Sequence, residues 1–297
     1  MNILIIGSGG QLGTDCIKIL SGGHKVVALD YPEIDITSRQ SLAAVWAAHK
    51  PEVAINCAAY TAVDKCETDS KAAWLVNADG PRLIGEVAAD HGGRVIHIST
   101  DYVFDGKKEV PHPYLEDDQV NPLSEYGRSK LAGEEHLQAC CPEAIILRTA
   151  WLYSANGPNF LKTMLRLALS DPRKEFTIVN DQFGSLTWSW TLATQIEKLL
   201  DTNLSGVIHT TSDGYSSWYE AACYFLDKMG VEHSFIPCET KDYPTPAHRP
   251  ANSILRNKIL DDHGLSVFSS WKKDVDCFTD VHREKLLKEA RAELTAS

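Results

Sequence analysis

The chain has 297 residues, of which 43% are hydrophobic and 23% charged, and its formal net charge at pH 7 is −11. This composition is that of an ordinary globular protein, and the length allows one large domain or two smaller ones. The negative charge argues against a nucleic-acid surface, because binding to phosphate backbones requires clustered lysine and arginine. No run of 18 apolar residues is present, so we expect no membrane-spanning helix.

Cysteine and histidine patterns indicate the compartment and argue against a metal site. The eight cysteines form no C-x-x-C pair and no zinc-type spacing, which favours reduced thiols in the cytoplasm. The first predicted strand begins at the start of the chain, so we expect no signal peptide. The eleven histidines form no recognisable cluster, and His97, in an apolar strand, is predicted to be a hydrogen-bonded core residue.

A glycine-rich loop follows the first predicted strand. Residues 1–6 form a short apolar run, and Gly7, Gly10 and Gly13 then give the spacing G-x-x-G-x-x-G. Such glycines permit a tight turn, close approach of the backbone to a pyrophosphate, and packing of the next helix on the strand. The free N–H groups at the start of that helix would hold the phosphates. The pattern predicts a dinucleotide site.

Asp30 directly follows the second predicted strand and lies 20 residues after Gly10. A carboxylate at this place accepts hydrogen bonds from the adenosine ribose of a dinucleotide. It repels a 2′-phosphate, and residues 31–36 contain no lysine or arginine to offset its charge. The sequence therefore favours NADH over NADPH as the cofactor and leaves both open.

Strands and helices alternate through the first half of the chain. Strands are predicted at residues 3–6, 25–29, 53–56, 94–99 and 144–148, and amphipathic helices at 38–49, 70–91 and 124–138. This alternation predicts an α/β fold, a doubly wound parallel sheet of Rossmann type, with ligands at the carboxyl ends of its strands. We assign residues 1–150 to a dinucleotide-binding domain, joined by sheet strands near 175–179 and 207–211. Residues 151–297 are assigned mainly to a smaller, interleaved substrate-binding region.

Tyr126 and Lys130 lie one turn apart near the start of the third predicted helix, on one face. A free tyrosine loses its proton near pH 10, and an adjacent ammonium favours the phenolate. We therefore expect Lys130 to lower the pKa of Tyr126 toward the working range. Alone, Y-x-x-x-K is a weak signal, because any helix can show it by chance. Lys130 could instead form a surface pair with Glu134, one turn later.

Six motifs resemble those of the dTDP-4-dehydrorhamnose reductase family, within the extended short-chain dehydrogenase/reductase superfamily. They are NCAAYTAVD at 56–64, STDYVFDG at 99–106, YGRSK at 126–130, RTAWLY at 148–153, VNDQFG at 179–184 and YPTPAHRPANS at 243–253. The resemblance covers nearly the whole chain. It includes the proline-rich C-terminal loop, which general superfamily members lack.

The resemblance implies reduction of dTDP-4-dehydro-β-L-rhamnose to dTDP-L-rhamnose, a precursor of cell-surface polysaccharide, by hydride transfer from NAD(P)H to C4. In the family pattern Thr100 binds the carbonyl oxygen, Tyr126 donates the proton and Lys130 holds the nicotinamide ribose. A ketone that accepts hydride becomes an alkoxide, which needs an acid and hydrogen-bond donors. Together with the glycine loop, the resemblance implies cofactor contacts at Gly7, Gly10, Gln11, Leu12, Gly13, Asp30, Asp35, Ile36, Ala59, Tyr60, Thr61, Tyr126 and Lys130. It implies substrate contacts at Thr100, Asp101, Trp151 and Arg249.

Three of these assignments have plain structural alternatives. Thr100 could merely cap the end of a strand, and it indicates catalysis only together with Tyr126 and Lys130. Trp151 could be a core aromatic, as most tryptophans are. Arg249 is a candidate for the diphosphate, because a guanidinium offers paired donors to phosphate oxygens, but it could equally pair with a surface carboxylate.

One departure from the family concerns a metal. Some members carry a magnesium site built from glutamates at a dimer interface. The corresponding positions here hold Asp15 and Trp190, and an indole supplies no oxygen ligand. We expect no metal, and a monomer or homodimer without a magnesium-bridged interface.

Several alternative functions stay open. A non-catalytic, nucleotide-binding regulatory subunit, like the β subunit of methionine adenosyltransferase, is similar in sequence pattern. A 4-epimerase, or a reductase of another nucleotide-4-keto-6-deoxy sugar, would share most motifs. Dehydration is disfavoured, because Tyr102 stands where the similar 4,6-dehydratases place a glutamate base.

Overall fold

The computed structural model describes residues 1–296 of the chain. The strands are β1 Asn2–Ile6, β2 Lys25–Leu29, β3 Val53–Asn56, β4 Arg94–Thr100, β5 Ile145–Thr149, β6 Leu152–Tyr153, β7 Glu175–Val179, β8 Phe183–Gly184, β9 Thr187–Trp188, β10 Gly206–His209, β11 Ser216–Ser217, β12 Ser234–Cys238 and β13 Asn252–Ser253. The α-helices are α1 Gln11–Leu20, α2 Arg39–His49, α3 Val63–Thr68, α4 Ser70–Trp74, α5 Gly80–Asp90, α6 Glu125–Cys140, α7 Phe160–Ser170, α8 Ser189–Leu200, α9 Trp218–Met229, α10 Lys258–Asp262 and α11 Trp271–Ala296.

A six-stranded parallel sheet forms the centre of the molecule, in the order β10-β5-β4-β3-β1-β2. The chain adds strands first to one side of β1 and then to the other, so the direction of winding reverses between β1 and β3. This is the switch point at which doubly wound sheets bind ligands. The predicted Rossmann-like α/β fold is confirmed.

Alternating residues of β1 explain the layers. Ile3 and Ile5 face the cluster of apolar side chains that includes α1 and α8, whereas Leu4 and Ile6 face the cluster that includes α2 and α5. All four side chains are buried. A short strand that is apolar at every position therefore has helices on both faces.

The strand predicted near 175–179 exists, but its proposed place in the central sheet is wrong. β7 pairs in parallel with β12 in a separate two-stranded sheet. Its burial alternates, with Glu175 and Thr177 exposed, and a central parallel strand must instead be covered on both faces. The strand predicted at 207–211 does join the central sheet, as β10 beside β5.

The second half of the chain builds its own apolar cluster, in which α7, α9 and α11 pack together. The helix α11 has no counterpart among the elements predicted from the sequence. The single helix predicted at 70–91 is interrupted by a π-helical turn, Leu75–Asp79, between α4 and α5. Within residues 1–296, no helix combines the length and apolar character needed to cross a membrane.

Candidate active site

The glycine loop leaves β1 at Gly7, which has a φ of +79°. A Cβ on Gly7 would lie 2.7 Å from the backbone nitrogen of Ala58, and a Cβ on Gly13 would lie 2.2 Å from the Gly7 carbonyl oxygen. The loop thus packs directly on the segment after β3, and α1 packs directly on the loop. α1 begins at Gln11 without a side-chain N-cap bond, so its first-turn N–H groups suit an anionic ligand.

Asp30 is fixed beside this loop. Its carboxylate accepts hydrogen bonds from the backbone N–H groups of Gly9, at 2.9 Å, and Tyr31, at 2.8 Å. A carboxylate has about four acceptor sites, so capacity for ribose hydroxyls remains. The position predicted from sequence spacing therefore fits a ribose contact.

Thr100 ends β4 and is buried. Its Oγ1 donates to Asp101 Oδ1 at 2.9 Å and accepts from the backbone N–H of Tyr102 at 3.2 Å. The Thr100 hydroxyl also acts against the rise in the Tyr126 pKa. Burial raises the pKa of Asp101 to about 6, although the hydroxyls of Ser253 and Thr100 act in the opposite direction.

A local fit brings Tyr126 to Thr100. The Ser124 hydroxyl caps α6 by accepting from the backbone N–H of Gly127 at 3.1 Å. A Cβ on Gly127 would lie 2.2 Å from the carbonyl oxygen of Tyr102, so only glycine lets α6 pass this close to the end of β4. The rings of Tyr102 and Tyr126 meet edge to face, with centroids 5.5 Å apart.

The expected lowering of the Tyr126 pKa is wrong for this structure. Burial raises the pKa of the Tyr126 phenol above its ordinary value. Lys130 Nζ instead donates to the carbonyl oxygen of Ile98 at 2.6 Å and lies 3.3 Å from His97 Nε2. Burial lowers the pKa of Lys130 to about 8. The phenol is therefore protonated at neutral pH.

A cleft of about 590 Å³ collects most of the predicted residues. It lies at the carboxyl ends of the central strands, as the fold predicts. The predicted residues that line it are Gly7, Gly10, Gln11, Leu12, Gly13, Asp30, Ala59, Thr61, Thr100, Asp101, Tyr126, Lys130 and Trp151.

Asp35, Ile36 and Tyr60 are absent from the lining of this cleft. The Asp35 carboxylate accepts from the backbone and hydroxyl of Thr37, at 2.9 and 2.7 Å. Ile36 is buried, and the Tyr60 backbone is held by the Asn77 amide through bonds of 2.8 and 3.1 Å. Their cofactor contacts stay predictions.

Trp151 has a φ of +48° and its ring stacks on that of Trp218, with centroids 3.5 Å apart. Both indoles line the cleft. A Cβ on Gly184 would lie 2.4 Å from Trp151 Cε2, so the glycine of the VNDQFG motif gives the ring its space. Trp151 therefore lines the cleft and also packs against the apolar cluster of the second half, and its contact with a sugar stays a prediction.

Arg249 lines a neighbouring cavity of about 620 Å³, which shares Trp218 with the cleft. Its guanidinium donates to both carboxylate oxygens of Asp64, at 3.1 and 2.8 Å. Arg249 is thus paired with a carboxylate, which was the alternative to the diphosphate contact. Five N–H donors leave capacity for a second anion, so the diphosphate contact stays a prediction.

Sequence reasoning missed several residues of the cleft. Cys57 and Ala58 line it because the chain turns there to meet the glycine loop, and Trp218 lines it from the first turn of α9. Cys57 and Ala58 stood inside a recognised motif, which was a usable signal. Trp218 stood in none, since only the fold brings α9 to Trp151.

Asp15, at the position where the resemblance implies a metal-binding glutamate in some members, has several hydrogen-bond partners. Its buried carboxylate accepts from the hydroxyls of Ser189 and Ser154, at 2.6 and 3.0 Å, and pairs with Lys18. Among residues 1–296, no group of three or more histidine, cysteine or acidic side chains has the geometry of a metal site. The absence of a metal-bridged interface stays a prediction.

Comparison with known proteins identifies the family. The family model described as the RmlD substrate binding domain matches residues 1–283. The chain belongs to this family. It is 40% identical to the dTDP-4-dehydrorhamnose reductase of Aggregatibacter actinomycetemcomitans, over 91% of this chain and 96% of that protein. It is 37% identical to the dTDP-4-keto-6-deoxy-D-glucose reductase of Streptomyces niveus, over 90% and 93%.

Two solved structures extend the match to three dimensions. The dTDP-4-dehydrorhamnose reductase of Clostridium acetobutylicum ATCC 824 has a TM-score of 0.91 at 40% identity, covering 95% of this chain and 99% of that one. The Bacillus anthracis enzyme of the same name, solved in complex with NADP, has a TM-score of 0.89 at 34% identity, covering 93% and 97%. The predicted resemblance to the dTDP-4-dehydrorhamnose reductases is confirmed, and the chain is an enzyme of this oxidoreductase family.

Proposed function

We propose that the chain reduces dTDP-4-dehydro-β-L-rhamnose to dTDP-L-rhamnose, with a nicotinamide dinucleotide as hydride donor and Tyr126 as proton donor. The observation that carries the proposal is the single cleft in which the glycine loop, Thr100, Tyr126 and Lys130 meet. The names of the similar proteins support the substrate class.

The residues of the cleft fit a dinucleotide. The glycine loop and the start of α1 offer backbone N–H groups to its phosphates, and Asp30 offers acceptors to its ribose. Lys130, on the floor of the cleft, would donate to the second ribose. When bound, the reduced dinucleotide supplies the hydride.

The chain's own part is to supply a proton and to orient the ketone. Because burial raises its pKa, Tyr126 carries a proton at neutral pH and can give it to the C4 oxygen as negative charge develops there. Thr100, which lines the same cleft as Tyr126, would hold the same oxygen. The stacked indoles of Trp151 and Trp218 form an apolar wall beside it. We assign residues 1–150 mainly to dinucleotide binding and 151–297 mainly to the sugar nucleotide.

Oxidation of the dinucleotide, followed at 340 nm with and without dTDP-4-dehydro-β-L-rhamnose, tests the function. We expect absorbance to fall only when the sugar nucleotide is present. Tight dinucleotide binding without substrate-dependent oxidation would instead support the regulatory-subunit alternative. Interconversion of C4 epimers without net consumption would support an epimerase.

The cofactor preference is tested by Asp30→Ala. Loss of the carboxylate removes a ribose acceptor and a charge that repels a 2′-phosphate. We expect NADH affinity to fall by about 10- to 100-fold, since a charge-assisted hydrogen bond contributes about 1.5–3 kcal/mol, with a smaller loss or a gain for NADPH. Titrations of intrinsic fluorescence measure both constants, and equal losses would contradict the ribose assignment.

A second substrate has direct support, because the Streptomyces niveus relative is named for dTDP-4-keto-6-deoxy-D-glucose. The two sugars differ in ring stereochemistry, and the sequence motifs do not distinguish between them. A panel of nucleotide-4-keto-6-deoxy sugars, ranked by kcat/KM, decides between them. A cytoplasmic location, and a monomer or homodimer without a bridging metal, complete the proposal.

A further inference from the structure

Three buried polar side chains form a hydrogen-bonded series beneath the cleft. Asn56 ends β3, His97 lies in the middle of β4, and Lys130 comes from α6. Asn56 Nδ2 lies 3.0 Å from His97 Nδ1, and His97 Nε2 lies 3.3 Å from Lys130 Nζ. The proposed mechanism gives no part to Asn56 or His97.

The amide of Asn56 fixes which atoms donate and which accept in this hydrogen-bonded series. Its Oδ1 accepts a hydrogen bond from the backbone N–H of Ala58 at 3.1 Å, so its Nδ2 must face His97. An amide nitrogen only donates, so His97 Nδ1 is the acceptor. A neutral imidazole with an accepting Nδ1 carries its proton on Nε2, the atom that faces Lys130.

This proton distinguishes the two forms of Lys130. An ammonium has donors only, so the charged form meets a second donor, the His97 Nε2–H. The neutral amine has a lone pair that accepts from His97, while its own N–H still donates to the carbonyl oxygen of Ile98 at 2.6 Å. Every contact in this hydrogen-bonded series pairs a donor with an acceptor only when Lys130 is neutral.

We infer that Asn56 and His97 are positioning residues for Lys130. Asn56 selects the tautomer of His97, and the Nε2–H of His97 holds the Lys130 amino group and favours its neutral form in the ligand-free protein. The consequence for catalysis rests on the proposed function; the proton positions do not.

Other titratable groups that face Lys130 also affect its pKa. Glu134, one turn later on α6, and Cys57, after β3, both raise the pKa of Lys130, and Tyr126 lies one turn earlier. The Glu134 carboxylate is itself held by Arg148 at 2.7 Å. Burial outweighs them and lowers the pKa of Lys130 to about 8. Burial and Lys130 together hold the pKa of His97 far below its ordinary value, so the imidazole is neutral.

The tautomer of His97 is tested on the wild-type protein. Side-chain ¹⁵N shifts of labelled histidine separate a protonated Nε2 from a protonated Nδ1. We expect the Nε2–H form across pH 6 to 9. A protonated Nδ1 would overturn the inference, and this measurement requires no variant and no activity.

Asn56→Asp tests the effect on Lys130. The carboxylate keeps the acceptor for Ala58 but replaces the donor that faces His97. The His97 proton should move to Nδ1, and Nε2 then accepts from the ammonium. We expect the titration of the Lys130 ¹³Cε resonance to move upward by about one pH unit or more. Asn203→Asp, which adds the same charge at an exposed position before β10, should leave it unchanged.

The reductase assay separates this inference from the proposed function. In an active enzyme, the alkaline limb of kcat/KM should move upward with Asn56→Asp, by the same amount as the ¹³Cε titration. A merely structural role for Asn56 would lower activity without moving that limb, and would overturn the inference. A shifted Lys130 titration in a protein without reductase activity would support the inference and contradict the proposed function.

Discussion

Tyr126 retains its proton at neutral pH because its phenol is buried and the Lys130 amino group is hydrogen-bonded elsewhere. Lys130 donates to a backbone carbonyl beneath the cleft, and only Thr100 favours the phenolate. A phenol in this state is suited to give a proton and poorly suited to remove one. Its environment therefore fits reduction of a ketone better than the reverse oxidation at the same pH.

Tyr126→Phe should remove the proposed proton donor while keeping the ring. We expect kcat to fall by about 10²- to 10⁴-fold, with dinucleotide affinity nearly unchanged. Tyr153→Phe is the matched control, because that hydroxyl lies in the core of the second half, where it has no partner among the described residues. Near-normal turnover of Tyr126→Phe in stopped-flow assays would exclude Tyr126 as the acid.

Asp101 gives a pH dependence of stability with a defined sign. Its folded-state pKa, about 6, lies above the ordinary value near 4, so the folded state holds a proton that the unfolded state loses first. The free energy of unfolding should therefore fall as pH rises from about 4 to 6, by about 3 kcal/mol. Urea denaturation of wild type and Asp101→Asn between pH 4 and 7 measures this change, since the variant has no carboxyl group to titrate at this position. A constant difference between the two proteins would contradict it.

At the scale of elements, the packing of α1 on the glycine loop depends on one missing methyl group. A Cβ on Gly13 would meet the Gly7 carbonyl oxygen at 2.2 Å, whereas a Cβ on Gly23 would meet nothing within 4 Å. Gly13→Ala must push α1 away from the loop. We expect a loss of about 1–3 kcal/mol in the free energy of unfolding and weaker dinucleotide binding.

Gly23→Ala is the control for that change, because it makes the same substitution in open space. Its free energy of unfolding should stay equal or rise by up to about 1 kcal/mol. Urea denaturation and dinucleotide titration of both variants make the comparison. Equal behaviour of the two would show that helix–loop contact does not limit the site.

At the scale of the whole molecule, Arg249 joins the two halves of the chain. It lies in the proline-rich loop, and its carboxylate partner, Asp64, lies in α3 after β3. The pair is partly exposed, so its own contribution to stability is about 1 kcal/mol or less. Because its guanidinium lines the neighbouring cavity, we expect Arg249 to affect ligand binding more than stability.

Arg249→Met should raise KM for the sugar nucleotide by about 10- to 100-fold, since a charge-assisted hydrogen bond contributes about 1.5–3 kcal/mol. Dinucleotide affinity should not change. Arg39→Met, which breaks an exposed pair with Asp90 at 2.6 Å, should alter neither constant. If Arg249→Met lowered the free energy of unfolding without changing KM, Arg249 would have only a structural role, as the ion-pair partner of Asp64.

The sequence by itself determined where the six strands of the central sheet lie, the glycine loop and the motif residues. These follow from local rules: apolar runs form buried strands, glycine spacing sets the loop, and spacing on a helix puts Tyr126 and Lys130 on one face. It also placed His97 in the core with hydrogen-bond partners, and the structure confirms this.

Only the tertiary structure decided how those residues behave. The protonation of Tyr126 and Lys130 depends on burial and on partners from β4, which lie far away in sequence. The pairing of β7 with β12, the stacking of Trp218 on Trp151 and the contact of Arg249 with Asp64 likewise join distant segments. Spacing along a chain reports which side chains share an element, whereas the direction of a hydrogen bond or the loss of solvent depends on what packs against that element.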